Sequence, residues 1–458
     1  MSHPLFEMLE NADLIRENQV NLDKVKRLPS KAIFDLANQS TILTSAKELP
    51  REKTIFAQSA SISLSGDSWP CQHIDCRLKN ATQLAQLAAL YSDKVYIRNY
   101  FAKYVDHLAS KSKIPLDDLR HGFANDLIVI SYLRPLIESS RVIPITPPNY
   151  CLHCLTTYSF GQDTEKRFKV AYKELLSRYS KETSATISLK NGRYHVAISG
   201  PENLLEHGTM HFFRADPPPY IEKNPELRDL LNSQKEISLS AKDLKGLKIS
   251  SAFADSVAQN IIFELATSLS VNTTFVTEKS LDIDFIRSIS GDLELEERNR
   301  IIQENLTCLV PFIQNIDPHK LITLREKEEE SFILFRDGLN KAISEHQKQK
   351  TNFTTRDAQE IYSEFVQPQL AHLDATVKSA KRNLIKGTSI KVLSWAGAIS
   401  FGLYTGFLPS SVAAMASALG LTKIIADLAS DVLKNSNQED QIRSENMYFL
   451  WKVKQLSE

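Results

Sequence analysis

Four of the five cysteines stand in two close pairs, and paired thiols are the groups here most suited to chemistry. Cys71 and Cys76 are spaced C-x4-C in CQHIDC; Cys151 and Cys154 are spaced C-x2-C in CLHC. Two thiolates this close on a turn reach one tetrahedral ion, and two such pairs complete a structural Zn²⁺ site. Trp69-Pro70 before the first pair and Pro147-Pro148 before the second suit rigid turns. The 74 residues between Cys76 and Cys151 mean that the pairs can meet only through the tertiary fold. His73 and His153 are alternative ligands. The plainer alternative is reduced, partly buried cysteines, because cysteine is among the most often buried residue types. A redox role for the C-x2-C is disfavoured, since it does not open a helix after a strand. Cys308, in LTCLVPF, reads as core.

Beyond the cysteines, catalytic residues are not assignable. G-x-S-x-G, G-x-x-x-x-G-K-[ST], H-E-x-x-H and a G-x-G-x-x-G after a strand are all missing, and no organic cofactor is expected. Glu206, His207 and His211 have a spacing that can ligate a metal, but a surface turn leading into the MHFF strand is the simpler expectation. Asp282 and Asp284 could offer oxygen ligands to Mg²⁺, and here a helix N-terminal cap is the simpler expectation. Asp292, Glu294, Glu296 and Glu297 read as a solvated helix face. Arg325 to Glu330 holds opposite charges at i, i+4, such as Arg325 with Glu329, and predicts an exposed helix face.

The elements that must position these residues change character along the chain. Residues 1–50 read as helical lead-in. Residues 51–315 alternate helical and strand patterns, which predicts an α/β or α+β domain with a mixed sheet. TIFAQSASISL, DKVYIR, RVIPI, TTFVT and LTCLVPFI read as strands. TQLAQLAALYS, DDLRHGFANDLIVISYLRPLIESS, AFADSVAQNIIFELATSLS and LDIDFIRSIS read as helices. ATISLKNGRYHVAISG predicts a hairpin turning at Asn191-Gly192, where two positive φ angles are tolerated. Residues 316–458 lose the strand pattern and predict an all-helical C-terminal domain, with a boundary near Ile316–Pro318. Leu324, Phe332, Phe335, Leu339 and Ile343 share one helix face there.

Val392 to Thr422 runs 31 residues without a charge, broken by Pro409 into arms of 17 and 13 residues. At 1.5 Å per residue these arms are roughly 25 and 20 Å long. A bilayer core needs about 30 Å. The basic approach Lys378, Lys381, Arg382, Lys386 and Lys391 favours a membrane. The short arms and small residues favour a buried helical hairpin, which is the expectation here, with membrane contact through 392–422 as the alternative.

Charge and composition narrow the function. Fifty-five basic residues balance 55 acidic ones, so nucleic acid is not indicated as a partner. With 42% hydrophobic and 24% charged residues the chain is globular. The N-terminus lacks the apolar core of a secretory signal, and five cysteines are too few for a disulfide framework. A cytoplasmic location follows, or a peripheral one at the inner membrane if 392–422 meets lipid. LIVISYLRPLIESSRVIPITPPNYCLHC and VPFIQNIDPHKLITLREKEEESFILFRDGL resemble segments of uncharacterised bacterial proteins loosely associated with accessory or phage-defence genes. That resemblance covers about half the chain and implies context, not an activity. The expectation is therefore a recognition or regulatory protein acting through a protein partner or as a homo-oligomer. The alternatives are a membrane-acting effector and a metal-dependent hydrolase or nuclease with dispersed carboxylates.

Overall fold

The computed structural model describes residues 3–290, apart from 17–18, 46–56, 70, 91, 110–114, 147–151, 191–192, 209, 214–218, 235 and 278. Beyond 290 it describes 318–335, 337–338, 363–364, 368–369, 371, 448–449 and 452. The chain divides into two compact units, one of Met1–Leu84 with Ser92–Arg300, the other of Ala85–Tyr91 with Ile301–Glu458.

The first unit opens with α1 (Pro4–Asn11), the short antiparallel pair β1 (Ile15–Arg16) and β2 (Gln19–Val20), α2 (Leu22–Val25) and α3 (Ser30–Leu43). Proline in the first turn of α1 costs nothing, since that N–H has no partner in the helix anyway. The helical lead-in thus contains a small ribbon that its apolar stripes did not reveal.

A parallel sheet follows. Its strands are β3 (Ala57–Ala60), β4 (Lys94–Arg98) and β5 (Val142–Ile145), joined by α4 (Ile74–Leu90), α5 (Ala102–Ala109), α6 (Leu116–Tyr132) and α7 (Arg134–Glu138). The single helix expected over 117–140 is divided at Leu133, because Pro135 at the start of α7 cannot donate back into α6. β3 is shorter than its alternating pattern predicts: after Ala60 the chain turns through Ser61–Gly66.

The chain then leaves the sheet. α8 (Leu152–Glu182) leads to β6 (Ser184–Lys190), β7 (Arg193–Ser199), α9 (Glu202–Leu205), β8 (Met210–Phe213), α10 (Pro219–Glu222), α11 (Pro225–Gln234) and β9 (Glu236–Leu239). These strands form an antiparallel sheet ordered β8-β7-β6-β9. Lys190 pairs with Arg193, as the hairpin expectation requires. Two helices, α12 (Ala241–Gly246) and α13 (Ile249–Ser270), bring the chain back to β10 (Thr274–Val276) and α14 (Ser280–Ser290). α12 carries a reciprocal capping box between Ser240 and Asp243. α8 and α13 pack together, and residues such as Tyr179, Ile187, Val196, Phe253 and Ile261 join them to the antiparallel sheet in one core.

β10 pairs with β3 in parallel, giving the order β10-β3-β4-β5. The α/β expectation holds for this region, with the parallel and antiparallel strands segregated into separate sheets. β3 is buried and polar, and its side chains are matched: Ser92 Oγ donates to Gln58 Oε1 at 2.6 Å, and Ser59 Oγ lies 2.7 Å from Thr273 Oγ1.

In the second unit α15 (Pro318–Lys327) leads into helical residues up to 335. Phe332 and Phe335 are buried as expected and flank Phe449, at 5.1 and 6.2 Å between ring centroids. Arg325 corrects the exposed-face expectation, being only 3% exposed. It lies 3.9 Å over the Phe332 ring and donates to the carbonyls of Ala88 and Ala89 at the end of α4, where a cation meets the negative end of the helix. The expected strand at LTCLVPFI, the acidic cluster at 292–297, Cys308 and the uncharged stretch 392–422 lie outside the described residues. Among the described residues no helix is long and apolar enough to cross a membrane.

Candidate functional site

The carboxyl ends of β3 and β4 carry a buried cluster of charges. The loop after β3, Ser61–Ser68, is drawn inward as a tight turn, with Ser61 to Asp67 all buried. Its backbone is satisfied by side chains from around it. Glu264 of α13 accepts from Ile62 N–H at 3.0 Å, Asn80 of α4 donates to the Ser63 carbonyl at 2.9 Å, and the Tyr100 hydroxyl donates to the Ser65 carbonyl. Arg77, in the first turns of α4, donates Nε to the Gly66 carbonyl at 2.8 Å and Nη2 to Asp126 Oδ1 at 2.5 Å.

Gly66 makes this approach possible. Its φ is +79°, and an added Cβ would stand 2.7 Å from the Arg77 carbonyl oxygen.

Lys103, in the first turn of α5, is the centre of the cluster. Its Nζ donates to Asp67 Oδ1 at 2.9 Å, Ser68 Oγ at 2.8 Å and Asp126 Oδ1 at 2.9 Å. The Tyr104 hydroxyl donates to the other oxygen of Asp126. Two carboxylates and two cations are thereby balanced in a nearly dry place, as buried charges require. Of these four charges Lys103 is the one with access to solvent, its side chain 19% exposed against 0–5% for the others.

Burial alone would raise the Asp67 carboxyl. The charges of Lys103 and Arg98, with hydrogen bonds from Lys103 and Ser68, outweigh it and hold the group below its ordinary value. Burial, helped by the nearby aspartates, pushes the hydroxyls of Tyr100 and Tyr104 upward. Asp67 is therefore held in its ionised form, and the two tyrosines keep their protons and act as donors.

A second polar cluster follows β10. Asp282, in the first turn of α14, is fully buried. It accepts from His207 Nε2 at 2.5 Å and from Thr277 Oγ1 at 2.6 Å. Both expectations for these residues are corrected: His207 stands in a turn but is 3% exposed, and Asp282 turns its carboxylate to His207 instead of capping the helix. Glu206 takes the capping role, accepting from Ser280 Oγ at 2.8 Å and Leu281 N–H at 2.9 Å. Asp284 is exposed, and the His211 side chain lies outside the described ones.

The cysteine pairs are described only in part. Cys71 and Cys76 are both exposed and free, at the start of α4, with their thiols hydrogen-bonded to each other. That hydrogen bond, then burial, raises the Cys76 thiol. His73 is exposed and lies 3.6 Å from Asp75. Cys151 lies outside the described residues, as do the side chains of His153 and Cys154, but the backbone of both belongs to the first turn of α8, the helix that follows β5, which corrects the expectation that the C-x2-C does not open a helix after a strand. Among the described residues no three His, Cys, Asp or Glu side chains group closely enough to hold a metal ion.

The two charged clusters share an address. The chain steps from β3 to β4 to β5 in one direction, then returns to the far side of β3 as β10. The direction of winding reverses at β3. In open α/β sheets ligands bind in the crevice outside the carboxyl ends of the strands at such a switch. The loops leaving β3 and β10 carry Ser61–Ser68 and Thr277–Lys279. The signals for this site in the sequence were faint: a serine-rich run ending in Gly66-Asp67-Ser68 after a strand, and a polar Thr277-Glu278-Lys279 after another. Compared with protein-family models, curated proteins and solved structures, the chain finds no match.

Proposed function

We propose that this protein is a recognition or regulatory component whose first unit takes a small ligand at the carboxyl edge of the parallel sheet, near β3 and β10. It acts through partners, for which the helical second domain is the candidate surface. An intracellular role in bacterial stress or phage defence rests on the sequence resemblance alone. The observation that carries the reading is the reversal of strand order at β3, with the charge cluster centred on Lys103 at the end of that strand. The same cluster argues against metal-dependent hydrolysis there. Asp67 and Asp126 converge from distant positions, as dispersed carboxylates would, but Lys103 and Arg77 already occupy the place a divalent cation would take.

The test is a thermal-shift panel of nucleotides, dinucleotides, sugar phosphates, amino acids and their derivatives on the full-length protein. At least one compound is expected to raise the melting temperature, as a ligand specific for the folded state must. Lys103→Met should weaken that compound at least tenfold, while Lys79→Ala, on the exposed face of α4, should not. A panel without any stabilising compound, or equal shifts in Lys103→Met and wild type, would reject the proposal.

A further inference from the structure

The cluster after β10 contains two nitrogens that the fold leaves without partners. Lys279 is 3% exposed, yet its Nζ has no hydrogen-bond acceptor. His207 is equally buried; its Nε2 is held by Asp282, and its Nδ1 has no partner. Buried polar atoms are almost always satisfied, and a buried ammonium without an acceptor is the costlier omission. Each such atom in a native protein calls for an explanation, and a missing ligand is one.

The nearby acceptors are already committed. Asp282 spends one oxygen on His207 and the other on Thr277, whose own oxygen accepts from Lys279 N–H at 3.2 Å. Glu206 spends both oxygens on the start of α14. Tyr179 donates its hydroxyl to the Leu204 carbonyl at 2.8 Å. Asp282 neutralises part of the Lys279 charge through space without bonding it. What is lacking is a group with several acceptor oxygens, and the loop that lacks it leaves β10 at the sheet's switch point.

We propose that Lys279 and His207 form a binding site for the phosphate group of a small ligand. Lys279 supplies a point charge with free donors. The imidazole, held by Asp282 through Nε2, supplies Nδ1–H as a second donor in its doubly protonated form. A phosphate offers several acceptor oxygens together with the negative charge that the Lys279 ammonium calls for, which a neutral carboxamide or hydroxyl does not. This inference rests on the reading that the carboxyl edge takes a ligand, and it names the chemical class.

The experiment is calorimetric titration of the full-length protein, in phosphate-free buffer, with inorganic phosphate, pyrophosphate and ATP. Wild type is expected to bind at least one of them. Lys279→Met should weaken that binding at least tenfold while its unliganded melting temperature stays equal or rises, because a buried charge has been removed. His207→Gln keeps a donor for Asp282 and deletes Nδ1, and should weaken binding by a similar factor. Should either variant fail to fold, the ¹⁵N shift of the His207 Nδ1 in wild type decides the matter: it should move on titration with the probe. Wild type that binds none of the three, or binding that neither variant weakens, overturns the proposal. If a compound without phosphate still binds in a Lys103-dependent way, the ligand-recognition reading survives that failure; if nothing binds, both fall.

Discussion

Arg77 shows at the residue scale how this protein uses charge. Fully buried, it bonds a backbone carbonyl and a carboxylate instead of seeking water. Taking such ions out of water is expensive, and the cost is offset only when every partner is in place. Asp67 is the member whose titration reports on that balance. Its folded-state carboxyl lies below the ordinary value of 3.8, so as pH falls the unfolded chain takes up its proton first. The stabilisation is thus complete above the ordinary value and is lost as pH falls from there through the lower folded value. Asp67→Asn should lower the melting temperature at neutral pH and flatten the acid limb of the stability curve below pH of about 4. Denaturation followed from pH 7 to pH 2 checks this, and a variant with the wild-type acid limb would refute it.

At the element scale the turn between β3 and α4 is the joint that matters. β3 ends early because Ser61–Gly66 curl back under α4, and the closeness of that helix is set at one position. An alanine at Gly66 must both adopt a positive φ and move the Arg77 carbonyl, which is backbone and not a flexible side-chain end. Gly66→Ala should cost on the order of 1–3 kcal/mol. Gly246→Ala is the control: nothing lies within 4 Å of an added Cβ there, and the change should be neutral or slightly stabilising. Urea unfolding of the two variants makes the comparison, and equal midpoints would contradict this account of the joint.

At the scale of the whole molecule, Val392–Thr422 is the segment that separates the recognition reading from the membrane-acting one. Its arms are too short to span a bilayer singly, and its glycines and alanines suit close helix contact. We expect a buried helical hairpin turning near Pro409. Gly402→Leu should then overpack it, at a cost on the order of 1–3 kcal/mol. Detergent-free extraction of the protein with Trp395 shielded from aqueous quenchers would agree. Membrane association that survives high-salt and carbonate washes, with Gly402→Leu tolerated, would instead favour the membrane-acting effector.

Local physics was legible in the sequence. Alternation and the Asn191-Gly192 signal located β6 and β7, helical periodicity located α13 and α14, and both follow from contacts among near neighbours. The site was not legible, because its members are far apart along the chain. Arg77 reaches Asp126 across 49 positions, Lys103 reaches Asp67 across 36, and His207 reaches Asp282 across 75. Read singly, His207 was a surface residue and Asp282 a helix cap; only the packing of α14 against α9 placed one against the other. The burial of Arg325 was hidden for the same reason, since its acceptors at Ala88 and Ala89 lie 237 and 236 positions away. Periodicity tells which face of an element turns inward. Which charges then meet is decided by strand order, because a buried ion is stable only where the fold delivers its partner.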